Sequence, residues 1–216
     1  MRRLDAMTIS RPFRLIPLIA ALLTLVVGSV RADEHWYPAQ DVDGTWAFED
    51  MWPKRGDYDF NDVVVRYRLY SNADVDGNIA QMSVRLRFVA RGASQQSGFA
   101  IRVPGNTGTV GATLGCEDAP LPATGDGRTF VVVPDVSAIL PAGEGDCKYT
   151  NTDPLCGGGA VGHEYLLKLA FTPPMPRAVV EAGINPYLFR VSDPGQEVHL
   201  PGYAPSPAAN GDLFST

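Results

Sequence analysis

Two alternating segments joined by a short polar cluster constrain the fold more than any other feature of the chain. Val63, Val65, Tyr67 and Leu69 alternate with Val64, Arg66, Arg68 and Tyr70, and Met82, Val84, Leu86 and Phe88 alternate with Ser83, Arg85 and Arg87. A period of two puts each apolar set on one face of an extended strand and the arginines on the other. A helix would carry those arginines onto its apolar stripe, so neither segment suits one. Between them Ser71-Asn-Ala-Asp-Val-Asp-Gly-Asn78 is rich in turn-forming residues. Together the segments predict a β-hairpin.

The remaining chain offers shorter strand candidates: Thr45-Trp-Ala-Phe48, Gly98–Val103, Thr129–Val133, His163–Phe171, Ala178–Val180 and Tyr187–Val191. Trp46 and Phe48 fall on one face of the first. Pro104, Pro134 and Pro173 each follow a candidate strand, where proline can end a ladder. Asp33–Gly44 reads as an entry segment and turn, and Asn106–Arg128 and Pro141–Gly159 as long connections. With Gly 22 and Pro 18 in 216 residues and 45% hydrophobic content, the chain has ample apolar area to bury and many turns. The pattern predicts an all-β fold, an antiparallel β-sandwich of jelly-roll-like form with long Gly/Pro-rich loops.

Arg2, Arg3, Arg11 and Arg14 precede an apolar run from Leu15 to Val27, and Val30-Arg31-Ala32 offers a small-residue cleavage site. This predicts a signal peptide over residues 1–32 and an exported product in the periplasm, at the cell surface or outside the cell. Met7 is an alternative start. The run is shorter than the ~20 residues that span a bilayer, which weighs against an uncleaved anchor, and no membrane span is expected in the mature chain. Cys116, Cys147 and Cys156 suit an oxidising compartment with one disulfide and one thiol left over. Cys147–Cys156 is the favoured closure because its loop is short, although Cys116 could reach either partner. The net charge of −6 weighs against nucleic acid as a partner.

The chemistry concentrates upstream of the hairpin. In Gly56-Asp-Tyr-Asp-Phe-Asn-Asp62, side-chain oxygens recur at Asp57, Asp59 and Asn61, with Asp62 adjoining and Glu49 and Asp50 just before. Ca²⁺ takes six to eight oxygens, and alternate oxygens on a tight turn can meet at one point. The candidate metal ligands are therefore Glu49, Asp50, Asp57, Asp59, Asn61 and Asp62. The run is not an EF-hand, because Asp62 stands where the loop needs Gly and Arg68 where it needs a bidentate Glu. These residues also suit an ordinary turn, but so many carboxylates beside only Lys54 and Arg55 would repel without a cation, unless Arg66 and Arg68 neutralise them.

Other chemistries find less support. The cysteine spacings are not those of a zinc site, and His163-Glu164 is not part of a His-Glu-x-x-His motif because position 167 is Leu. His163 and His199 read as polar residues at strand ends. No nucleophile elbow or phosphate loop is present in the sequence. Asp74-Val-Asp-Gly-Asn78 is adequately explained as a turn. Two acidic-loop carboxylates could serve a glycan-active hydrolase, provided a second acidic residue faces the loop across a cleft.

Phe48-Glu-Asp-Met-Trp-Pro53 followed by Gly56-Asp-Tyr-Asp-Phe-Asn-Asp-Val-Val-Val-Arg-Tyr-Arg68 resembles the opening motif of LruC-type domains of exported bacterial proteins. Gly98-Phe-Ala, Ile184-Asn-Pro-Tyr-Leu-Phe189 and Glu197-Val-His-Leu-Pro-Gly-Tyr-Ala-Pro205 resemble the later motifs, so the likeness runs from about Trp46 to Thr216. It implies a secreted or surface-exposed β-rich module, here over residues 33–216, without established enzymatic activity. Its acidic signature is similar to that of calcium-binding β-sandwiches on bacterial surface proteins. Such domains continue past the His-Leu-Pro-Gly-Tyr motif, so the domain is expected to be incomplete at its C-terminus. The combined expectation is a non-enzymatic, Ca²⁺-binding module with a role in surface adhesion or in binding a glycan or protein. The alternatives are the hydrolase and a purely structural envelope or matrix protein.

Overall fold

The structure, a computed structural model, describes residues 33–210 apart from 53, 141–142, 144 and 157–161. The expected signal peptide and the last six residues lie outside the described residues. The expected hairpin is present as β3 (Val63–Ala73) and β4 (Asn78–Ala90), paired antiparallel with Val65 opposite Phe88 and Leu69 opposite Val84. Leu69, Val84, Leu86 and Phe88 are buried, as alternation requires. β3 extends through Ser71 and Asn72, so the turn is narrower than the polar cluster suggests: Asp74 closes it by accepting from the backbone N–H of Asp76 and Asn78.

This hairpin forms the middle of a seven-stranded sheet. β1 (Asp33–Tyr37) and β2 (Gly44–Phe48) lie end to end along the outer edge of β3, facing Leu69–Ala73 and Val63–Tyr67 respectively. On the other side β4 pairs with β9 (Glu164–Pro176), which pairs with β6 (Thr109–Leu114), and β6 with β7 (Ala119–Pro120). The second sheet has four strands: β8 (Thr129–Val133), β5 (Ser97–Arg102), β10 (Asn185–Arg190) and β11 (Asp193–His199). Every pairing is antiparallel. The molecule is the all-β sandwich that the sequence pattern predicts.

The core lies between the sheets and turns on Phe99 of β5. Its ring meets Phe88 edge-on at 5.2 Å and Phe48 edge-on at 6.3 Å, and lies 6.3 Å from Trp46. Aromatic pairs prefer such offset and edge-on contacts, which contribute about 0.5–1.5 kcal/mol each beyond burial. Trp46 also stacks on Tyr67 at 3.9 Å, and Gly44 leaves room for that ring, since a Cβ there would fall 2.4 Å from it.

Several expectations are corrected. Asp33–Tyr37 is a strand held by its ladder and by Trp36 against Tyr70, at 4.4 Å. The Asn106–Arg128 connection contains β6 and β7. Pro173 does not end its strand, because β9 resumes pairing with β4 at Met175 and Pro176. Ala178–Val180 lies in a one-turn-plus helix, α1 (Arg177–Gly183), whose only buried residue is Val180. The Cys147–Cys156 bridge forms and Cys116 is free and exposed, which removes two of the three thiols from any zinc reading.

Candidate metal centre

The acidic loop links the end of β2 to the start of β3. Its first turn is closed by backbone bonds from Trp52 N–H to Glu49 C=O (3.2 Å) and from Lys54 N–H to Met51 C=O (2.7 Å). The chain then doubles back through Gly56–Asn61, with Tyr58 at φ 60° and Phe60 at φ 52°. Left-handed backbone is unfavourable for such bulky residues, and both rings are half exposed, so packing of the rings does not compensate. These turns bring Asp57 and Asp59 back over Glu49.

Carboxylate oxygens of Glu49, Asp57 and Asp59 all lie within 4.8 Å of one another. Asp57 and Asp59 are exposed, whereas Glu49 is only 2% exposed. Glu49 Oε1 accepts from Phe60 N–H at 2.6 Å, which ties the returning strand of the loop to the end of β2. Glu49 Oε2 is buried and has no hydrogen-bond partner. A buried carboxylate oxygen left unpaired costs several kcal/mol, roughly, unless something neutralises it. Gly56 makes the space: a Cβ there would sit 2.6 Å from this oxygen.

The other candidates brace the loop. Asp62 Oδ2 accepts from Asp50 N–H at 2.8 Å, pinning the two ends of the loop together. Asn61 donates to Asp59 through both its backbone N–H (3.3 Å) and its side-chain amide. Asn61 C=O also accepts from Gly92 N–H at 2.9 Å, and Gly92 leaves room for the Asn61 side chain, since a Cβ there would fall 1.7 Å from Asn61 Oδ1. The fold therefore brings Glu49, Asp57 and Asp59 together and gives Asp50, Asn61 and Asp62 positions around them.

The surroundings are short of positive charge. Arg68 bonds Asp43 through Nε (3.0 Å) and Nη2 (2.7 Å) and does not serve the loop. Among the described residues no ion pair reaches Glu49, Asp57 or Asp59. The accumulated charge shows in the neighbours: burial, reinforced by Asp50, Glu49 and Asp57, pushes the Asp62 carboxyl up to about 7 against the Asp50 hydrogen bond. Burial likewise raises Asp50, with Glu49 and Asp57 adding to the rise while the Asp62 hydrogen bond and Arg190 oppose it. Three converging carboxylates, one with a buried free oxygen, suit a hard cation that prefers oxygen ligands.

Beside this loop lies a cleft of about 490 Å³, walled by Asp50, Trp52, Phe189, Arg190, Gln196 and Glu197 among others. Sequence reasoning missed the polar network behind it. Glu197 and His199 are buried on β11; His199 meets Glu197 Oε2 through Nε2 (2.8 Å) and Asn185 Oδ1 through Nδ1 (3.0 Å), and stacks on Tyr187 at 4.6 Å. Ser206 donates its N–H (2.8 Å) and hydroxyl to Glu197. Burial pushes the Glu197 carboxyl up, but bonds from His199 and Ser206 outweigh it and leave it below its ordinary value. His199 is thus an interior latch holding residues 204–206 to β10 and β11, with Asn185 Nδ2 donating to Ala204 C=O at 3.1 Å. Two polar residues two apart on one strand face, in Glu197-Val-His199, are the signal that could have revealed it.

The segment from residue 77 to 216 matches the family model described as a domain of unknown function, DUF4842; the acidic loop precedes the matched segment. No curated protein and no solved structure matches the chain. With more than half of its 216 residues covered, this protein belongs to the DUF4842 family.

Proposed function

We propose that this protein is an exported, non-enzymatic β-sandwich module of LruC type that binds Ca²⁺ through Glu49, Asp57 and Asp59. Backbone carbonyls and water complete the shell. The observation that carries the reading is Glu49 Oε2, buried without a partner where two further carboxylates converge. The ion fixes the loop against β3, and with it Asp50 and Trp52 at the wall of the cleft. That wall mixes an indole with amide, carboxylate and guanidinium groups, a composition suited to a sugar or a polar protein segment. The Cys147–Cys156 bridge accords with an oxidising compartment.

The hydrolase alternative needs a second carboxylate across the cleft, and Glu197 is the residue placed to supply it. Both Glu197 oxygens are engaged by His199 and Ser206, which favours binding over catalysis. Isothermal titration of the purified chain with Ca²⁺ tests the proposal, with Asp57→Ala and Asp59→Ala as comparisons. A Kd of order 10⁻⁴ to 10⁻³ M is expected, as for extracellular modules. Heat that is absent from the unmodified chain, or undiminished in both variants, refutes it.

A further inference from the structure

The outer face of the large sheet carries its charge in an unusual arrangement. Arg66 on β3 stands directly opposite Arg87 on β4, and Arg68 opposite Arg85. Like charges directly opposite on adjacent strands, their Cβ atoms about 4.5–5.5 Å apart, destabilise a sheet, so two such pairs in succession need an explanation. Asp43, placed in the gap between β1 and β2, answers part of it: it holds Arg68 closely but meets Arg85 and Arg87 only at 3.5 Å. Glu164 reaches Arg85 at 3.6 Å. Arg87 Nε is buried without a hydrogen-bond partner, and among the described residues Arg66 is exposed with neither an ion pair nor a hydrogen bond.

Four guanidinium groups against two carboxylates, Asp43 and Glu164, leave this cluster positive on a chain whose net charge is −6. The same face continues to Tyr70 and its neighbour Trp36, whose rings meet tilted at 40°, one row beyond Arg68. Arg68 is spent on Asp43 and the Gln40 carbonyl; we propose that the remaining Arg66–Arg85–Arg87 cluster binds an acidic polysaccharide, with the guanidinium forks taking its carboxylates and the Trp36–Tyr70 pair offering an apolar edge to the sugar rings. Arginine presents paired N–H donors that match a carboxylate bidentately, and cross-strand spacing places two forks side by side. An open sheet face accommodates an extended chain better than a small molecule. The sugar backbone, less densely charged than nucleic acid, is also compatible with the net negative charge of the protein. This site is separate from the acidic loop and does not depend on it.

The test is binding of the full chain to immobilised polygalacturonate at low salt in the presence of a chelator, which takes the acidic loop out of the measurement. Saturable binding is expected, falling at least tenfold in Arg66→Ala/Arg85→Ala, whose side chains lie on the solvent side of the sheet, and lost on adding salt. The charge-matched pair Lys54→Ala/Arg55→Ala, in the β2–β3 loop, should bind as the unmodified chain does. Absence of binding, equal weakening in the two double variants, or tighter binding of a single-stranded DNA of equal charge overturns the proposal. Melting curves of both variants, expected to lie no lower than that of the unmodified chain, show that lost binding is not lost folding.

Discussion

Replacing Glu49 by Gln should stabilise the protein in chelator and weaken it, relative to the unmodified chain, in Ca²⁺. Glu49 faces Asp57 and Asp59 with oxygens no more than 4.8 Å away. Coulomb's law gives about 0.9 kcal/mol of repulsion per pair at that distance in water and about 3.5 kcal/mol at an effective dielectric near 20. Because Asp57 and Asp59 are exposed, the value lies near the watery limit, so removing the charge relieves roughly 2 kcal/mol over the two pairs. Against this, the hydrogen bond from Phe60 N–H loses its charge assistance, costing about 1 kcal/mol. The net gain of about 1 kcal/mol raises Tm by roughly 2–4 °C in a domain of this size. In 10 mM Ca²⁺ the unmodified chain gains about 1.4–2.7 kcal/mol for a Kd of 10⁻³ to 10⁻⁴ M, whereas the variant gains little, so their order of stability reverses. Thermal unfolding followed by circular dichroism with and without Ca²⁺ reads both effects. A variant that is less stable in chelator and gains as much from Ca²⁺ as the unmodified chain would refute the reasoning.

Three further outcomes follow from the geometry. Gly92→Ala should cost about 1–3 kcal/mol, because its Cβ must displace Asn61, and should also weaken Ca²⁺ binding because Asn61 supports Asp59; urea unfolding and calorimetry check the two parts. Loss of the Cys147–Cys156 bridge, with its sequence separation of 9, should cost about 2.7 kcal/mol by loop-closure entropy, measured by urea unfolding of the paired serine variant, and alkylation of the native oxidised chain should modify Cys116 alone. The folded carboxyl of Glu197 lies below its ordinary value of 4.5, so its contribution to stability is complete above that pH and is lost as pH falls through the lowered folded value. Ser206→Ala removes one of its donors, and should cost about 1–3 kcal/mol near neutral pH and move acid unfolding to higher pH, as followed by near-ultraviolet circular dichroism.

What could be read from the sequence was what side-chain alternation encodes. β3 and β4 declare themselves because one face is buried and the other solvated, so Val84, Leu86 and Phe88 must alternate with Ser83, Arg85 and Arg87. β1 does not, because most of its residues are exposed and the ladder, which any sequence can make, holds it, whereas β6 packs Val110, Ala112 and Leu114 only partly buried against the core, inside a connection whose Gly, Thr and Pro read as loop. β11 begins Asp-Pro-Gly and hides a strand behind turn residues, while Val179 and Val180 suggest extended chain where a short helix buries only Val180. The acidic loop was visible as a stock of oxygens. Aspartates that converge and aspartates that brace look alike in one dimension, and Glu49 falls beyond the inward positions Trp46 and Phe48. It is buried because Gly56–Asn61 folds back across it, a consequence of left-handed steps at Tyr58 and Phe60 that no local propensity favours. The spacing in Glu197-Val-His199 marks one half of the latch, but the other half is Ser206 returning from beyond the strand, a tertiary contact that the spacing does not encode.

The central claim, that Glu49, Asp57 and Asp59 hold a calcium ion, is tested most directly by a crystal structure of the protein grown in about 10 mM Ca²⁺ with anomalous data. An anomalous peak is expected about 2.3–2.6 Å from an oxygen of each of the three residues, with Glu49 Oε2 among them. Density without such a peak, with Glu49 Oε2 paired instead to Lys54, Arg55 or a displaced backbone N–H, would contradict it.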